Sequence, residues 1–229
     1  MRKTELAQGE YYHVFNRGTD RRDIFQDTED FQRFFQSMEE FNSVEPIGSI
    51  YESSFNKISK VPQLGHPMSK LRDCSRNKEK LVEFVAYCVN PNHFHFILEQ
   101  ITERGIEKFM QRFGNGYTKY FNGKYKRSGV LFQGKYKSIH VATNEYLLRL
   151  SAYVNLNDRV HNIPQLGHRM SKSSWDEYVI GENAVNHFCK KDIVLEQFNS
   201  PHVYKEFAEE ALELILHNRA ELKNIEYEK

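Results

Sequence analysis

The sequence predicts an α+β domain in which helices face a mainly antiparallel sheet. A β-branched and aromatic run at 11–18 ends at a glycine, as strands often do. Two further β-rich runs, at 81–89 and 93–99, are separated by Asn90-Pro91-Asn92, whose turn chemistry predicts a hairpin. The order strand, helix, hairpin, helix, strand, helix along the chain fits this fold class.

The helical segments follow from hydrophobic spacing and capping signals. The stretch 27–41 carries Phe and Met at helical intervals, and 106–120 reads as a helix despite two internal glycines. Residues 129–141 are expected to be extended, and Thr143 can N-cap a helix that runs to about residue 157. An amphipathic C-terminal helix over about 203–223 should turn five apolar residues inward: Phe207, Ala211, Leu214, Ile215 and Leu222.

The domain organisation expected from the sequence is a main domain at 1–180 followed by an acidic helical extension at 181–229. The stretch 43–79 is rich in Ser, Asn, Pro, Gly and Lys and lacks periodicity, so it is expected to be a loop-like insertion. A ten-residue segment at 61–70 returns almost unchanged at 163–172. Two copies do not make a solenoid, so we interpret the repeat as a translated repeated DNA element, with a paired recognition loop as the alternative.

Charge is distributed unevenly although the net charge is only +1. From residue 108 to residue 144 there is no Asp or Glu but there are eight cations, interleaved with aromatic residues. This mixture suits phosphate neutralisation together with base stacking on single-stranded nucleic acid, whereas a solvated helix face with core aromatics is the plainer interpretation. After residue 175 the sequence contains twelve acidic residues and six basic ones. An acidic tail is a poor surface for nucleic acid, so the contact should lie upstream of it.

The remaining bulk features exclude several classes of protein. No apolar run approaches the roughly 20 residues that a membrane span requires, and no signal peptide is evident, so we expect a cytoplasmic protein with no membrane partner. Cys74, Cys88 and Cys189 lack paired spacing and are expected to be free thiols.

Two histidines carry the first chemical signal. Side chains alternate along a strand, so His93 and His95 should project together while Phe94 and Phe96 point the other way. The two imidazoles could share one metal ion, although histidines on a strand face can equally be satisfied by hydrogen bonds. On the last predicted helix, Tyr153 and Asn157 stand four residues apart and should share one surface. Spacing alone leaves open a packed tyrosine and a helix-ending asparagine.

The combination resembles the single-tyrosine HUH transposases of the IS200-like superfamily, and in particular the REP-associated tyrosine transposases. The motifs that carry this resemblance are Asn90-Pro91-Asn92-His93-Phe94-His95 and Tyr153-Val154-Asn155-Leu156-Asn157. Supporting matches lie at 13–18 and 129–137, and together they span roughly residues 11–180. The sequence departs from the family pattern at Asn157-Asp158, where the family commonly has Asn-Pro.

The resemblance implies a ferredoxin-like antiparallel sheet and a metal-dependent DNA nicking and strand-transfer activity. His93, His95 and Asn157 would hold Mg²⁺ or Mn²⁺, and Tyr153 would attack a DNA phosphate. A phenol is a weak nucleophile at neutral pH, so a cation must polarise that phosphate. The product would be a 5′-phosphotyrosine and a free 3′-hydroxyl, which can be rejoined without ATP. We expect single-stranded or hairpin DNA as partner, a monomer or homodimer, and DNA contacts from these cations: Arg17, Arg112, Lys119, Lys124, Lys126, Arg127, Lys135 and Lys137.

Three other functions compete with this interpretation. A non-enzymatic single-strand nucleic-acid binder derived from a transposase would be expected to have lost a histidine or the tyrosine, and all three are present. A nucleotide hydrolase built on a His-x-His-x-His strand needs a third histidine where the chain has Ile97. A metal-dependent oxygenase needs a further histidine or carboxylate at suitable spacing, which is not evident.

Overall fold

The computed structural model describes residues 6–50, 79–163, 171–180 and 188–227. A 3₁₀ turn at Thr19–Arg21 accompanies five strands and seven α-helices in these ranges. The strands are β1 (Tyr11–Arg17), β2 (Val82–Asn90), β3 (His93–Gln100), β4 (Lys137–His140) and β5 (Lys172–Ser173). The helices are α1 (Thr28–Glu40), α2 (Gly105–Lys124), α3 (Asn144–Asn155), α4 (Asn157–Val160), α5 (Trp175–Val179), α6 (Asp192–Leu195) and α7 (Pro201–Tyr227).

The five strands form one sheet in the order β4-β1-β3-β2-β5, and every neighbouring pair is antiparallel. The α+β class and the antiparallel sheet are therefore confirmed. The predicted hairpin is present as β2 and β3, with Pro91 and Asn92 between the strands. β3 lies at the centre, paired with β1 on one side and β2 on the other.

Helices cover both faces of the sheet because side chains alternate along the strands. On one face, Phe94 and Phe96 of β3 pack against aromatic residues of α1 and α2, including Phe34 and Phe113. On the other face, Ile97 belongs to a second core that contains apolar residues of α3 and α7. His93 and His95 lie on this second face, as the alternation predicts.

The N-cap expected for α3 is present, because the Thr143 side chain accepts a hydrogen bond from the Tyr146 backbone N–H at 3.2 Å. The prediction of one helix to about residue 157 is wrong at its end. α3 stops at Asn155, Leu156 leaves the helical region with φ −110° and ψ 18°, and α4 starts at Asn157. Asn157 thus begins a helix and is fully buried.

The basic stretch differs from its prediction in two respects. Only 137–140 of the expected extended run is a strand, because Gly129 and Gly134 take positive φ angles of 84° and 62° and turn the chain. The expectation of aromatics free for base stacking is wrong for most of them, because their rings are buried in the core: Phe109, Phe113, Tyr117, Phe121 and Phe132. Tyr120 and Tyr125 instead donate hydrogen bonds to Asp30.

The C-terminal helix packs on the domain through residues that the sequence pattern did not single out. Tyr204 and Ala208 are fully buried in the second core, and Tyr204 receives a hydrogen bond from Asn155 of α3 at 2.8 Å. Leu214 was expected to point inward but is 65% exposed, so that prediction is wrong. The side chain of Leu222 lies outside the described residues. None of the described helices combines the length and apolar character of a bilayer-spanning segment.

Other expectations fall partly outside the described residues. Most of the insertion at 43–79, all of the first repeat copy and Cys74 lie there, as does the middle of the second copy. The last residues of that second copy, Ser171 and Lys172, lie at the β5 edge of the sheet. Cys88 and Cys189 are free thiols, as predicted.

Candidate active site

The two histidines of β3 lie side by side on the face of the sheet that α3 covers. Their ring centroids are 5.3 Å apart, and His93 is half-buried while His95 is buried. On the opposite face, the rings of Phe94 and Phe96 stack at 4.6 Å and anchor the strand in the first core. This packing holds the backbone of β3 in place from the opposite face of the sheet, and it thereby fixes the position of both imidazoles.

His13 of β1 completes a row of imidazoles across two strands. Its Nε2 atom lies 2.9 Å from Nδ1 of His95, and the two rings stack at 5.2 Å. Burial lowers the pKa of His13 to about 4, and burial together with the neighbouring imidazoles lowers the pKa of His95 well below its usual range. Both rings are therefore neutral at pH 7, as metal-binding imidazoles must be.

The His93 ring is oriented by asparagines. Its Nδ1 lies 2.7 Å from Asn92 Oδ1, and a carboxamide oxygen only accepts, so Nδ1 carries the proton and donates it. Its Nε2 then keeps a lone pair, which lies 3.1 Å from Asn157 Oδ1. The side-chain amide of Asn90 donates to Asn157 Oδ1 at 2.8 Å and lies 2.9 Å from His93 Nε2. Ser171 in turn donates to Asn90 Oδ1 at 2.7 Å.

This donor set has the chemistry that a small divalent cation requires. Two lone-pair atoms, His93 Nε2 and Asn157 Oδ1, face each other at 3.1 Å, and neighbouring ligand atoms around Mg²⁺ at about 2.1 Å are about 3 Å apart. The Nδ2 atom of Asn157 is buried with no hydrogen-bond partner among the described residues. Exchanging the two amide atoms would set that nitrogen against the Asn90 amide, so the oxygen faces His93. In the described part of the chain, no three His, Cys, Asp or Glu side chains gather as a metal cluster. A three-donor site here therefore includes the Asn157 carboxamide.

Tyr153 reaches the same place from α3. Its ring meets the His95 ring edge-on at 5.5 Å and the His13 ring edge-on at 6.3 Å, and the side chain is half-buried. α3 and α4 thus bring Tyr153 beside His95 and Asn157 beside His93 across the break at Leu156. The structure brings the four predicted catalytic and metal-binding residues together.

A family model described as "Transposase IS200 like" matches residues 69–157. The chain is similar to the IS200-like transposases. The matched segment begins before the β2–β3 hairpin and ends at Asn157, so it includes both histidines and Tyr153. The resemblance stated from the sequence motifs is confirmed by this match.

Solved structures similar to the chain include one that is described as a REP-associated tyrosine transposase bound to a REP hairpin. The two proteins are 14% identical, with a TM-score of 0.42, and the comparison covers 70% of this chain and 73% of the other. No curated protein matches the chain.

Beside the histidines, a cleft of about 690 Å³ is lined on several sides by cations. Arg17, Arg21 and Lys137 contribute to its wall, together with His161, whose ring lies 4.9 Å from that of His93. Arg17 donates to the side chain of Gln133. The cleft is therefore electropositive next to a site with no carboxylate in its lining. Such a surface favours a polyanion.

The predicted DNA-binding cations do not form one patch. All except Arg17 lie in the segment that matches the IS200-like transposases. Lys124 is held by carboxylates of Asp27 and Asp30 at 2.8 and 3.0 Å, and Arg112 donates to the backbone carbonyl of Ser43. Arg127 donates to Asn122 and lies over the Phe121 ring. The remaining four side chains are exposed: Lys119, Lys126, Lys135 and Lys137.

Sequence reasoning missed five residues of this site: His13, Asn90, Asn92, Arg21 and His161. A signal was available for the first, because His13 is an isolated polar residue in an otherwise apolar strand core. The two asparagines were noted for their turn chemistry and as part of the motif at 90–95, without a role in the site. Arg21 and His161 carry no sequence signal, because only the folded chain brings their loops to the histidines.

Proposed function

We propose that this protein is a single-strand DNA endonuclease and strand transferase that uses Tyr153 as its nucleophile. The observation that carries the proposal is the convergence of Tyr153 on His95, at 5.5 Å between ring centroids, next to the His93 and Asn157 donor pair. The Tyr153 ring packs partly against the second core and stays half-buried, next to His95, which lines the cationic cleft. The match to the IS200-like transposases supports the same reaction class.

His93, His95 and Asn157 are the residues that would hold Mg²⁺ or Mn²⁺. When bound, such an ion would neutralise charge that develops on the scissile phosphate. The neutral state of both histidines keeps them available as ligands at pH 7. Asn92 fixes the His93 tautomer, and Asn90 keeps the Asn157 oxygen directed towards His93.

The chain's own groups account for the covalent steps. The Tyr153 oxygen forms a bond to phosphorus while the bond from phosphorus to the 3′ oxygen breaks, and this leaves a 5′-phosphotyrosine and a 3′-hydroxyl. The phenol proton leaves to solvent and the departing oxygen gains a proton, so charge balances. Attack by a 3′-hydroxyl on the phosphotyrosine reverses the step and joins strands without an external energy source. Arg17, Arg21 and Lys137 would hold the flanking phosphates in the cleft.

The substrate that we propose is single-stranded DNA that carries a hairpin or belongs to a repeated element. The domain that performs the reaction would be residues 1–180. Residues 181–229 would be an acidic extension that does not contact DNA. A cationic cleft beside the histidines and an acidic C-terminal region support this division.

The test is covalent capture of labelled hairpin oligonucleotides with randomised single-stranded flanks, in Mn²⁺ and separately in EDTA. Wild-type protein should form a denaturant-resistant adduct only with the metal. Tyr153→Phe should lose the adduct by at least about a thousandfold and keep binding, because only the nucleophilic oxygen is removed. Tyr146→Phe removes a hydroxyl from the same helix at an exposed position and should react as wild type. Binding without any adduct in the wild type would favour the silent nucleic-acid binder instead.

A further inference from the structure

Four polar side chains form a cluster inside the otherwise apolar second core. Each of them is fully buried: Ser151, Asn155, Ser174 and Tyr204. They come from α3, from the residue that precedes α5, and from α7. Burying polar groups costs free energy unless their donors and acceptors are paired, and a fully paired cluster fixes one arrangement of the elements around it.

Hydrogen bonds join these four side chains in series. The Asn155 amide donates to the Tyr204 oxygen at 2.8 Å, and the Ser174 hydroxyl donates to Asn155 Oδ1 at 2.6 Å. Ser151 Oγ lies 3.1 Å from the Tyr204 oxygen and donates its own proton to the Leu148 carbonyl at 2.7 Å. The Tyr204 hydroxyl therefore donates to Ser151, so it accepts one hydrogen bond from α3 and returns another.

Ser174 connects the cluster to the sheet that carries the histidines. Its backbone N–H donates to the Tyr87 carbonyl at 3.0 Å, and its Oγ accepts from the Tyr87 backbone N–H at 3.0 Å. Tyr87 belongs to β2, which pairs with β3, the strand of His93 and His95. One buried path of hydrogen bonds therefore runs from α7 through α3 to the sheet.

The cluster holds α3 at the turn that carries the proposed nucleophile. Ser151 and Asn155 are four residues apart and share one face of the helix, and Tyr153 lies between them, about 200° around the axis. Asn155 is the last residue of α3, and the backbone leaves the helical region at Leu156. Helix ends fray unless tertiary contacts hold them. Here the contacts that hold the end of the helix include the hydroxyl of Tyr204.

We propose that Tyr204 is a positioning residue for the nucleophile. Its hydroxyl holds the last turn of α3 through Asn155 and Ser151, and so keeps the Tyr153 oxygen where it can attack a phosphate beside the histidines. The inference rests on the proposed nuclease function. It gives α7 a part in the reaction although the acidic surface of this helix does not contact DNA.

Two buried tyrosines of the second core offer a matched test. Tyr204 and Tyr178 are both fully buried, and their ring centroids are 4.9 Å apart. The Tyr178 hydroxyl donates to the Val85 carbonyl of β2 at 2.8 Å and not to α3. Replacing either tyrosine by Phe keeps the ring and leaves the partners of one buried hydroxyl unpaired. Both variants should therefore unfold at a lower temperature, and only Tyr204→Phe should loosen α3.

The experiment measures the rate of adduct formation in a single turnover, with protein in excess over the labelled hairpin oligonucleotides and with saturating Mn²⁺. Tyr204→Phe should react roughly ten- to a hundredfold more slowly than wild type, because a misplacement of about 1 Å has an effect of that size. Its Kd for the oligonucleotides, from fluorescence anisotropy, should be unchanged. Tyr178→Phe should bind and react as wild type. Lost stability alone does not produce this split between rate and Kd.

A second variant tests the link from the α3 side. Ser151→Ala removes the acceptor of the Tyr204 hydroxyl and should slow adduct formation by a smaller factor. Because the two changes break one link, the double variant should be no slower than Tyr204→Phe. If Tyr204→Phe does not fold, slow chemistry in Ser151→Ala supports the proposal and a wild-type rate contradicts it.

Three outcomes are separable. A wild-type rate in folded Tyr204→Phe would overturn the positioning role and leave the nuclease standing. Equal slowing in Tyr204→Phe and Tyr178→Phe would also overturn it, because lost core stability would then be the cause. A wild-type protein that forms no adduct with any of the oligonucleotides would overturn the proposed function and the positioning role with it.

Discussion

The Nε2 atom of His13 lies 2.9 Å from the Nδ1 atom of His95, across neighbouring strands of the sheet. Both imidazoles are neutral, so one nitrogen donates and the other accepts. If His95 is to present its Nε2 lone pair to a metal, its Nδ1–H must donate to His13. His13 is then the positioning residue that selects the His95 tautomer, a role that partners of metal-binding histidines commonly fill.

Burial of His13 predicts an acid-sensitive fold. Its pKa is about 4 in the folded protein and near 6.5 when unfolded, so the unfolded state binds more protons between these values and stability falls as pH falls. In EDTA, lowering the pH from 7 to 5 should cost roughly 2 kcal/mol through this residue. Urea unfolding should show that His13→Gln removes about that part of the loss. Equal losses in wild type and variant would mean that His13 is not the group responsible.

The histidines of β3 should be needed for chemistry and dispensable for folding. His93→Ala and His95→Ala should each abolish metal-dependent cleavage, because each removes a proposed ligand, while the core on the far side of β3 remains intact. His140→Ala, at an exposed position on β4, is the matched control and should cleave normally. Circular dichroism and Mn²⁺ titration separate the two effects. Full wild-type cleavage in EDTA would refute the metal role.

Salt dependence should identify which cations contact DNA. Replacing Lys119, Lys126 and Lys135 by Gln should flatten the slope of log affinity against log salt by about two units, at about 0.7 per lost contact to a single strand. The control triple replaces Lys80, Lys190 and Lys205, each of which lies within 4.0 Å of a carboxylate. It removes the same formal charge. Fluorescence anisotropy that gives the same slope for both triples would show a general charge effect and no local surface.

Glycines within α2 should differ in their tolerance of alanine. A Cβ on Gly116 would lie 2.3 Å from the Phe41 ring, so Gly116→Ala should destabilise the protein by about 1–3 kcal/mol through overpacking. Gly123 has open space, and Gly123→Ala should stabilise by about 0.5–1 kcal/mol through helix propensity. Urea unfolding measures both. A stabilised Gly116→Ala variant would contradict the close packing of α1 and α2.

The sequence predicted the sheet and its helices well where local signals agree with tertiary packing. Alternation in β3, the Asn-Pro-Asn turn and the Thr143 cap each act over a few residues, and each is present in the structure. Predictions failed where the conformation or burial of a residue depends on more than its local sequence pattern. The 129–141 run looked extended, but two positive-φ glycines turn it, and the apolar side chain of Leu214 is 65% exposed.

The site was predictable in its motif residues and not in their surroundings. His93, His95, Tyr153 and Asn157 stand in recognisable patterns, but nothing local in the sequence pairs His13 with His95, a contact that spans 82 positions. Lys124 looked like a DNA contact because its chain neighbours lack acids, whereas its carboxylate partners come from the start of α1. The charge pattern along the chain therefore predicted the basic region correctly, but it did not predict which of its cations are paired with carboxylates.

The most direct test of the central claim is to locate the DNA on the protein. Wild-type protein is allowed to react with a hairpin oligonucleotide in Mn²⁺, then digested with nuclease and trypsin, and the modified peptide is sequenced by mass spectrometry. Trypsin should release residues 150–159, a peptide in which Tyr153 is the one tyrosine, while Tyr146 lies in the peptide 138–149. A nucleotide attached through phosphate to Tyr153 is the predicted result. Attachment to Tyr146 or to any other residue would contradict the account.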